Sequence, residues 1–364
     1  MIIGIDGNEA NVQRKVGIGE YAFELLKQFE QFRIQNLEFR IYLKQAPRAE
    51  MPKESENWKY KVFGPKKYWT QFGLPAKLYL EREKPSVFFS PSHYAPRFSP
   101  VPTAIAIMDV SYLHFPQLFA KKDLMQLKNW TAYSVRKAKR IFTISQASKN
   151  DIIEAYGIPA EKVIVTYPGI KAQSEKRKMK NKQTTKSPTP YILFVGTLQP
   201  RKNIERLIEA FAKLEKKNLE LVIVGKKGWL FEEILAAPKK FGVEDRVKFL
   251  DFVSDAELAK LYKNALMFVL PSLYEGFGLP VLEAMQHGCP VITSNVSSLP
   301  EAGGDAALYV DPTNIDDIAG KMKQLLESES LRKELIEKGY KQVKKFSWEK
   351  TAKKTLEVLE SIAV

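Results

Sequence analysis

The stretch "LMFVLPSLYEGFGLPVLEAMQHGCPVITS", Leu266–Ser294, contains two short apolar runs separated by a glycine-rich turn and a helical pattern. "LMFVL" predicts a buried strand, and "LPVLEAMQHG" predicts a helix with Pro280 in its first turn and Gly288 at its end. A strand that leads through a helix into a second strand forms a βαβ unit, whose two strands are parallel. The stretch therefore predicts an α/β fold built on parallel sheets.

Similar apolar runs occur throughout the chain. Before residue 170 they are "IIGID", "FRIYL", "SVFFS", "TAIAIM", "RIFTI" and "KVIVTY", and after residue 190 they are "YILFVG", "LELVIVG", "VKFLDF", "LMFVL", "PVITS" and "ALYV". Helical patterns separate runs of the second set, over 204–214, 256–261 and 279–286. Two successive doubly wound, Rossmann-like domains that face each other across a cleft are the architecture that this order predicts.

A polar, lysine-rich segment divides the two sets of runs. We predict an N-terminal Rossmann-like domain over 1–170, a basic linker or loop over 171–190 and a C-terminal Rossmann-like domain over 191–345. The tail, 341–364, has one long helical pattern. We expect its last part, 346–364, to be a terminal helix that packs back on the N-terminal domain.

Composition limits the classes of protein that the chain can represent. Its 364 residues, 45% of them apolar, suffice for two cores. One cysteine and three scattered histidines exclude a disulfide framework and predict no metal site, which favours a reducing compartment. The first residues lack the pattern of a cleaved signal, and no apolar run is long enough to span a bilayer, so we expect a cytoplasmic protein.

The net charge of +15 invites a nucleic-acid or membrane interpretation. Much of it is local, since residues 171–186 hold seven Lys or Arg and one Glu. Recognition-helix and stacked-aromatic signatures are missing, so a small anionic ligand is favoured over nucleic acid. The basic helical pattern over 119–140 leaves two interpretations open: the solvated face of a core helix, or a peripheral contact with the anionic inner face of a membrane.

Ligands of doubly wound domains bind beyond the carboxyl ends of the strands. After "YILFVG", Gly196 turns the chain, and Arg201 and Lys202 stand before a helix that begins near Asn203, a good capping residue. Cations at a helix N-terminus oppose the macrodipole, so they make better sense with an anion such as a diphosphate between them. The alternative is a pair of solvated surface cations.

Two glutamates in the opening stretch are separated by seven residues. Glu275 lies in the turn, and we place Glu283 in the first helical turn, with both carboxylates facing one pocket. Carboxylates accept paired hydrogen bonds from vicinal diols, which suits a hexose and a ribose, while Gly276 and Gly278 permit close backbone approach. An acid–base pair, or a Glu283 that only complements the helix dipole, are the alternatives.

The turn after the first strand, "DGNEANVQRKVGIGEY", also ends in glycines. Gly17 and Gly19 precede a helix that starts near Glu20, where backbone N–H groups can approach a phosphate. A plain βα loop is the alternative. The second strand ends in Leu43 and Lys44 rather than in an acidic residue, which argues against bound NAD.

Several motifs together resemble the family 4 glycosyltransferases of group 1. They are "GIGEYAFELL", "PSHYAP", "FTISQASKNDI", "VIVTYPGI", "FVGTLQPRKNI" and "PSLYEGFGLPVLEAMQHGCPVITSNVSSLPEAGGDAALYVDP". The resemblance extends to "FSWEKTA" and is most specific at the E-x7-E element and "GTLxPRKN". It implies a nucleotide-sugar enzyme with the GT-B fold, which binds the acceptor in its N-terminal domain and the donor in its C-terminal domain.

The resemblance also implies roles for single residues. Glu275 would contact the donor hexose and Glu283 the ribose, and Arg201 with Lys202 would stabilise the diphosphate leaving group. Enzymes of this family retain the anomeric configuration and need no cofactor, and leaving-group electrostatics of this kind require no metal ion. Further donor contacts are implied for Gly17, Gly19, Gly196, Gly276, Phe277, Gly278 and Leu279.

Two positions depart from the family pattern. "AIMDVSYLHFP" has Met108 where many relatives have histidine and keeps Asp109, so we assign Asp109 and nearby His93 to the acceptor side. "GIGEY" has Glu20 where many relatives have arginine, which removes one phosphate contact.

These observations predict a retaining glycosyltransferase that moves a hexose, of mannose or glucose type, onto a glycan or lipid-linked acceptor. The likeness of "GTLQPRKN" to bacterial mannosyltransferases favours GDP-mannose as donor. A nucleotide-sugar 2-epimerase on the same fold is one alternative, against which the scarcity of histidine and Met108 argue. A non-catalytic module that binds anions or nucleic acid is the other, and it leaves the two glutamates without a purpose.

Overall fold

A computed structural model describes residues 1–15, 17–32, 34–171 and 189–364. Most of the predicted basic linker, residues 172–188, therefore lies outside the described residues. The chain divides into two compact units, one formed by Met1–Gly169 with Ser347–Val364 and the other by Ile170–Phe346.

The described residues contain thirteen strands and thirteen α-helices. The strands are β1 (Ile2–Asp6), β2 (Glu38–Leu43), β3 (Trp58–Val62), β4 (Val87–Ser90), β5 (Thr103–Ala106), β6 (Arg140–Thr143), β7 (Val163–Val165), β8 (Tyr191–Val195), β9 (Glu220–Val224), β10 (Val247–Leu250), β11 (Met267–Leu270), β12 (Val291–Ser294) and β13 (Ala307–Val310). The helices are α1 (Ile18–Gln31), α2 (Leu74–Leu80), α3 (Ser111–His114), α4 (Lys121–Lys137), α5 (Gln146–Tyr156), α6 (Ile204–Ala212), α7 (Glu232–Lys240), α8 (Asp255–Asn264), α9 (Leu279–Gln286), α10 (Leu299–Gly303), α11 (Ile315–Glu327), α12 (Glu329–Val343) and α13 (Trp348–Ser361).

Shorter helical turns connect some of these elements. A π-helical turn, Trp69–Gly73, leads directly into α2. The 3-10 turns are Pro116–Leu118, Ala160–Lys162, Pro200–Lys202 and Glu244–Arg246. No helix among the described residues has both the length and the apolar character needed to cross a bilayer.

The first unit contains a seven-stranded parallel sheet in the order β3-β2-β1-β4-β5-β6-β7. Every residue of β1 and β4 is buried, as expected for central strands covered on both faces. The sequence did not predict β3, "WKYKV", because this edge strand buries Trp58 but leaves Lys59 exposed. An edge strand needs only one apolar face, so its apolar run is interrupted.

The end of the chain belongs to the first unit. Trp348, Ala352, Leu356 and Leu359 of α13 pack into the core that also contains β1, β2 and α1. The predicted single helix over 341–364 is wrong, because α12 ends at Val343 and α13 begins at Trp348. The break lies where the chain passes from the second unit to the first.

The second unit contains a six-stranded parallel sheet in the order β10-β9-β8-β11-β12-β13. Strand order reverses between β8 and β11, so the loops after these two strands diverge to opposite faces of the sheet. Such a reversal leaves a crevice at the carboxyl ends of the strands. The prediction of two doubly wound parallel sheets is confirmed, and this crevice in the second unit positions the candidate site.

Candidate active site

Hydrogen bonds join the loops that follow β8 and β11. The backbone N–H of Leu273 donates to the carbonyl of Arg201 over 2.9 Å. Asn203, which was expected to cap α6 through its side chain, has left-handed backbone with φ of 60° and makes no side-chain cap bond. Its amide nitrogen instead donates to the carbonyls of Pro271, at 2.9 Å, and Pro312, at 2.6 Å. Asn203 is thus a tie between loops, a role that a one-dimensional pattern cannot reveal.

The three residues predicted to be catalytic form one ionic cluster. Lys202 Nζ lies 2.6 Å from Glu275 Oε1, and Arg201 Nη1 lies 3.2 Å from Glu275 Oε2. Arg201 also donates to the carbonyl of Tyr274. The side chains of Arg201 and Lys202 are only 16% and 11% exposed, so the alternative of two solvated surface cations does not fit.

The carboxylate of Glu275 keeps its negative charge over the physiological pH range. Burial would raise the pKa of Glu275, but the charges of Lys202 and Arg201, with hydrogen bonds from Lys202 and Ser272, lower that pKa to about 2. The carboxylate is therefore ionised at neutral pH and is a poor proton donor or acceptor. The cluster thus holds two cations beside one ionised carboxylate.

Two serines that were not among the predicted site residues bind the backbone of Glu275 on both sides. Ser297 Oγ accepts the backbone N–H of Glu275 at 3.0 Å, and Ser298 Oγ donates to its carbonyl at 2.8 Å. Ser272 Oγ donates to the Glu275 carboxylate at 2.7 Å. Ser297 has φ of 51°, a conformation that non-glycine residues seldom adopt. The "SNVSSLPE" loop after β12 is therefore a positioning element for Glu275.

Packing within the second unit explains why two of the predicted donor-site residues are glycines. A Cβ on Gly196 would lie 3.7 Å from Lys202 Cε and 3.3 Å from the Phe194 ring, so the glycine leaves room for both side chains. Gly278 has φ of 100°, and a Cβ there would come within 2.8 Å of Leu299. These glycines shape the loops from inside the unit, whatever ligand they approach.

The other predicted donor residues of this turn are Gly276, Phe277 and Leu279. Phe277 is 2% exposed, and its ring lies 5.3 Å from that of Phe346. Its side chain is part of the core, so only the backbone of Phe277 can make the predicted contact with the donor. Gly276 is also buried, and Leu279 is the first residue of α9.

Glu283 lies just beyond the first helical turn, in which it was predicted. It is the fifth residue of α9, beyond the first helical turn, because the helix begins at Leu279. Tyr262, a buried residue of α8, donates its hydroxyl to Glu283 Oε2 over 3.1 Å. The Tyr262 ring stacks on His287 with ring centres 5.6 Å apart. Burial and the charge of Glu283 raise the pKa of Tyr262, which stays protonated and orients the carboxylate.

The first unit brings together the two residues assigned to the acceptor. His93 follows β4 and Asp109 follows the neighbouring strand β5. His93 Nδ1 is inaccessible and has no hydrogen-bond partner among the described residues. Burial lowers the pKa of His93, and the negative charge of Asp109 acts in the opposite direction. Asp109 Oδ1 also accepts the backbone N–H of Ser111 at 2.8 Å.

Gly17 and Gly19 differ in what requires them. Gly17 precedes α1 with φ of 51°, and a Cβ on it would meet open space. A Cβ on Gly19 would come within 2.9 Å of the carbonyl oxygen of Glu9. Gly19 is therefore required for close packing of α1 against the β1–α1 turn, which is a structural reason that the phosphate hypothesis did not include.

Family models cover both units of the chain. A model described as glycosyltransferase family 4 matches residues 16–174, and one described as glycosyl transferases group 1 matches residues 175–342. The O-antigen chain mannosyltransferase B of Escherichia coli is 33% identical over 285 residues, which cover 75% of this chain and 74% of that protein. The chain belongs to the group 1 glycosyltransferases.

Solved structures agree on the fold of this glycosyltransferase. Sucrose-phosphate synthase from Thermosynechococcus elongatus superposes with a TM-score of 0.74 at 18% identity, over 99% of this chain and 98% of that one. HepE from Anabaena in complex with UDP-glucose superposes with a TM-score of 0.73 at 19% identity, over 99% of both chains. The predicted GT-B fold and the predicted family are confirmed.

Proposed function

We propose that this glycosyltransferase moves a hexose from a nucleoside-diphosphate sugar to a glycan or lipid-linked acceptor with retention of configuration. In this proposal the second unit binds the donor and the first unit binds the acceptor. The observation that carries the proposal is the buried Arg201–Lys202–Glu275 cluster at the crevice of the second sheet. Its two cations, held in place by one carboxylate, suit a diphosphate that becomes more negative as the glycosidic bond breaks.

Retention itself is what the family resemblance implies, and the route to it in the proposal depends on what Glu275 is unable to do. Both of its carboxylate oxygens accept hydrogen bonds, Oε1 from Lys202 and Ser272 and Oε2 from Arg201. An anion held in this way is a weak nucleophile and a weak base. We therefore assign Glu275 no covalent intermediate, and because the family resemblance implies retention, we infer that the acceptor hydroxyl attacks from the face that the diphosphate leaves.

Metal independence is the second part of the proposal. Arg201 and Lys202 already supply the positive charge that a divalent ion would bring to a diphosphate. Their charges are held in place by Glu275 before any donor binds, so little reorganisation is needed during the reaction.

The donor sugar that we favour is mannose, carried by GDP. The relative named above is a mannosyltransferase that aligns with 75% of this chain, and the "GTLQPRKN" motif was already similar to bacterial mannosyltransferases. HepE, whose structure contains UDP-glucose, shares only the fold, so UDP-glucose is the comparison donor for the test.

A donor panel tests this proposal directly. GDP-mannose, UDP-glucose and other nucleotide sugars are each incubated with the protein, oligosaccharide or polyprenyl-linked acceptors and EDTA, and released nucleotide is measured. We expect turnover with GDP-mannose that EDTA does not reduce and an α-linked product, as identified by NMR. Restoration of activity only by added Mg²⁺ or Mn²⁺ would overturn metal independence, and a free epimerised sugar would indicate the epimerase.

The role of Glu283 has its own test. Glu283→Ala is expected to weaken binding of the nucleoside diphosphate by about 1–3 kcal/mol, because ribose hydroxyls lose a half-buried carboxylate. Tyr262→Phe removes only the bond that orients Glu283 and is expected to cost about 0.5–1.5 kcal/mol. Isothermal titration calorimetry with GDP and UDP measures both.

Tyr191→Phe is the matched control for that experiment. Tyr191 also uses its hydroxyl in a partly buried hydrogen bond, to the carbonyl of Leu261 at 2.8 Å, but does not contact Glu283. Its removal should leave nucleotide affinity within about a factor of two. A Glu283→Ala variant that binds both nucleotides as tightly as the wild type rules out the ribose contact.

A further inference from the structure

An apolar stripe crosses the surface of the first unit along the π-helical turn and α2. Its members are Tyr68, Phe72, Ala76, Tyr79 and Leu80, all of them exposed. Spacings of four and three residues place Phe72, Ala76 and Tyr79 on one helical face, and the ring of Tyr68 lies 6.3 Å from that of Phe72. Phe72 and Leu80 are 69% and 82% exposed, which is unusual for side chains of this size.

The opposite face of the same segment is already used by the fold. Trp69, Leu74 and Leu78 are buried in a cluster with Tyr42 and Phe88. A helix that is apolar on both faces is normally buried on both. The side chains of the stripe are therefore not needed for the core of the unit, and their exposure requires another explanation.

Cations flank the stripe at both of its ends. Lys66 and Lys67 precede Tyr68, and Arg82 and Lys84 follow Leu80, and all four side chains are exposed. The carboxylate of Glu81 does not offset them, because it is buried and lies 3.1 Å from Arg40. The second acid, Glu83, lies 3.7 Å from Arg40 but is 79% exposed, so it offsets one of the four cations. Exposed aromatic and aliphatic groups are thus bordered by an excess of positive charge.

We propose that the apolar stripe is a docking surface for an anionic lipid bilayer. Tyrosine places an apolar ring at the interface with its hydroxyl in water, while Phe72 and Leu80 enter the acyl boundary. Lysine and arginine at the ends contact acidic head groups, which add attraction near the surface. The charge of the border selects a lipid surface over a neutral protein partner.

This surface differs from the one that the sequence suggested. The basic helix α4 was the first candidate for membrane contact, but its only large exposed apolar side chain is Met125, at 63% exposure. Charge without apolar insertion gives weak, purely electrostatic attachment. The stripe combines both contributions, so it replaces α4 as the expected contact.

Vesicle co-sedimentation tests the stripe without any sugar donor. The wild type is expected to bind vesicles of phosphatidylglycerol and phosphatidylcholine and to bind pure phosphatidylcholine far less. Phe72→Ser with Leu80→Ser is expected to lower the partition coefficient by at least about tenfold, since each side chain loses its burial. Lys66→Gln with Lys67→Gln should reduce binding to anionic vesicles alone and weaken its dependence on salt.

Met125→Ser on α4 is the matched control, because it removes an equally exposed apolar side chain elsewhere on the unit. It should bind vesicles as the wild type does. The thermal unfolding midpoint of every variant is compared with that of the wild type. Little change in this midpoint is expected, because all the substituted side chains are exposed. A Phe72→Ser/Leu80→Ser variant that binds vesicles like the wild type overturns the proposal. So does a Met125→Ser variant that loses as much vesicle binding as the Phe72→Ser/Leu80→Ser variant.

Self-association is the remaining outcome. If the wild type ignores anionic vesicles and sediments as a dimer that Phe72→Ser/Leu80→Ser dissociates, the stripe is an interface between copies and the lipid proposal is wrong. Sugar transfer in solution is measured separately, so failure of vesicle binding leaves the proposed transferase activity unaffected.

Discussion

Lys202→Met is expected to lower kcat for sugar transfer by about 10²–10³-fold, the range seen when one preorganised electrostatic group is removed. Lys202 Nζ lies 2.6 Å from Glu275, so its charge is fixed before donor binds. Methionine keeps most of the side-chain volume but loses this charge. Single-turnover measurement of nucleotide release separates the chemical step from product release.

The same substitution also leaves Glu275 with one cation fewer, which costs stability in its own right. The double variant Lys202→Met/Glu275→Gln separates the two effects, because it also removes the carboxylate that has lost one of its two cations. The free energy of unfolding, measured in urea, is expected to recover in the double variant, while kcat stays low.

Lys240→Met serves as the control, since Lys240 also pairs with a glutamate, Glu205 at 2.8 Å, but is 62% exposed and lies on α7. It should change neither stability nor kcat appreciably. A Lys202→Met variant that keeps kcat within about twofold of the wild type excludes Lys202 from leaving-group stabilisation.

Glu275→Gln is expected to be the most destabilising change in the site. It removes the anion that compensates two partly buried cations, and breaking such a pair typically costs about 3–5 kcal/mol. The pKa of Glu275 gives a similar size: a depression from 4.5 to about 2 corresponds to about 3 kcal/mol of stability. Urea unfolding at pH 7 measures the loss.

The pH dependence of that difference identifies its origin. Because the folded-state pKa of Glu275 is depressed, its contribution is complete well above pH 4.5 and is lost as pH falls towards about 2. The wild type and Glu275→Gln should therefore differ most at pH 6–7 and converge progressively below pH 4.5. A difference that is constant with pH would mean that the lost stability comes from packing and not from the ionised carboxylate.

Regular, buried elements were the part of the fold that the sequence predicted well. The helix Leu279–Gln286 was predicted with its observed bounds, because Pro280 and Gly288 mark its ends. The edge strand β3 was missed, because the lysines of "WKYKV" interrupt the apolar run by which buried strands are recognised. The single helix predicted over 341–364 was wrong for another reason. The helical pattern is continuous across Lys344–Ser347, but the chain passes from the second unit to the first there.

The candidate site was predicted in composition but not in internal geometry. The motifs pointed to Arg201, Lys202 and Glu275, yet no pattern indicated that the carboxylate would pair with both cations. The serine contacts were missed because Ser297 and Ser298 come from the loop after another strand, and such contacts depend on tertiary structure. Roles for the ligand-contacting residues remain predictions.

The two passages of the chain between the units have a practical consequence. The first unit ends at Gly169 and resumes at Ser347, and these two points lie in contact, since a Cβ on Gly169 would collide with the backbone nitrogen of Trp348. The second unit is thus an insertion into the first. Expression of the first unit alone therefore requires residues 1–169 to be joined to residues 347–364 by a very short linker. Truncation after residue 169 would remove α13 from the core of this unit, and the apolar surface exposed in that way would promote aggregation.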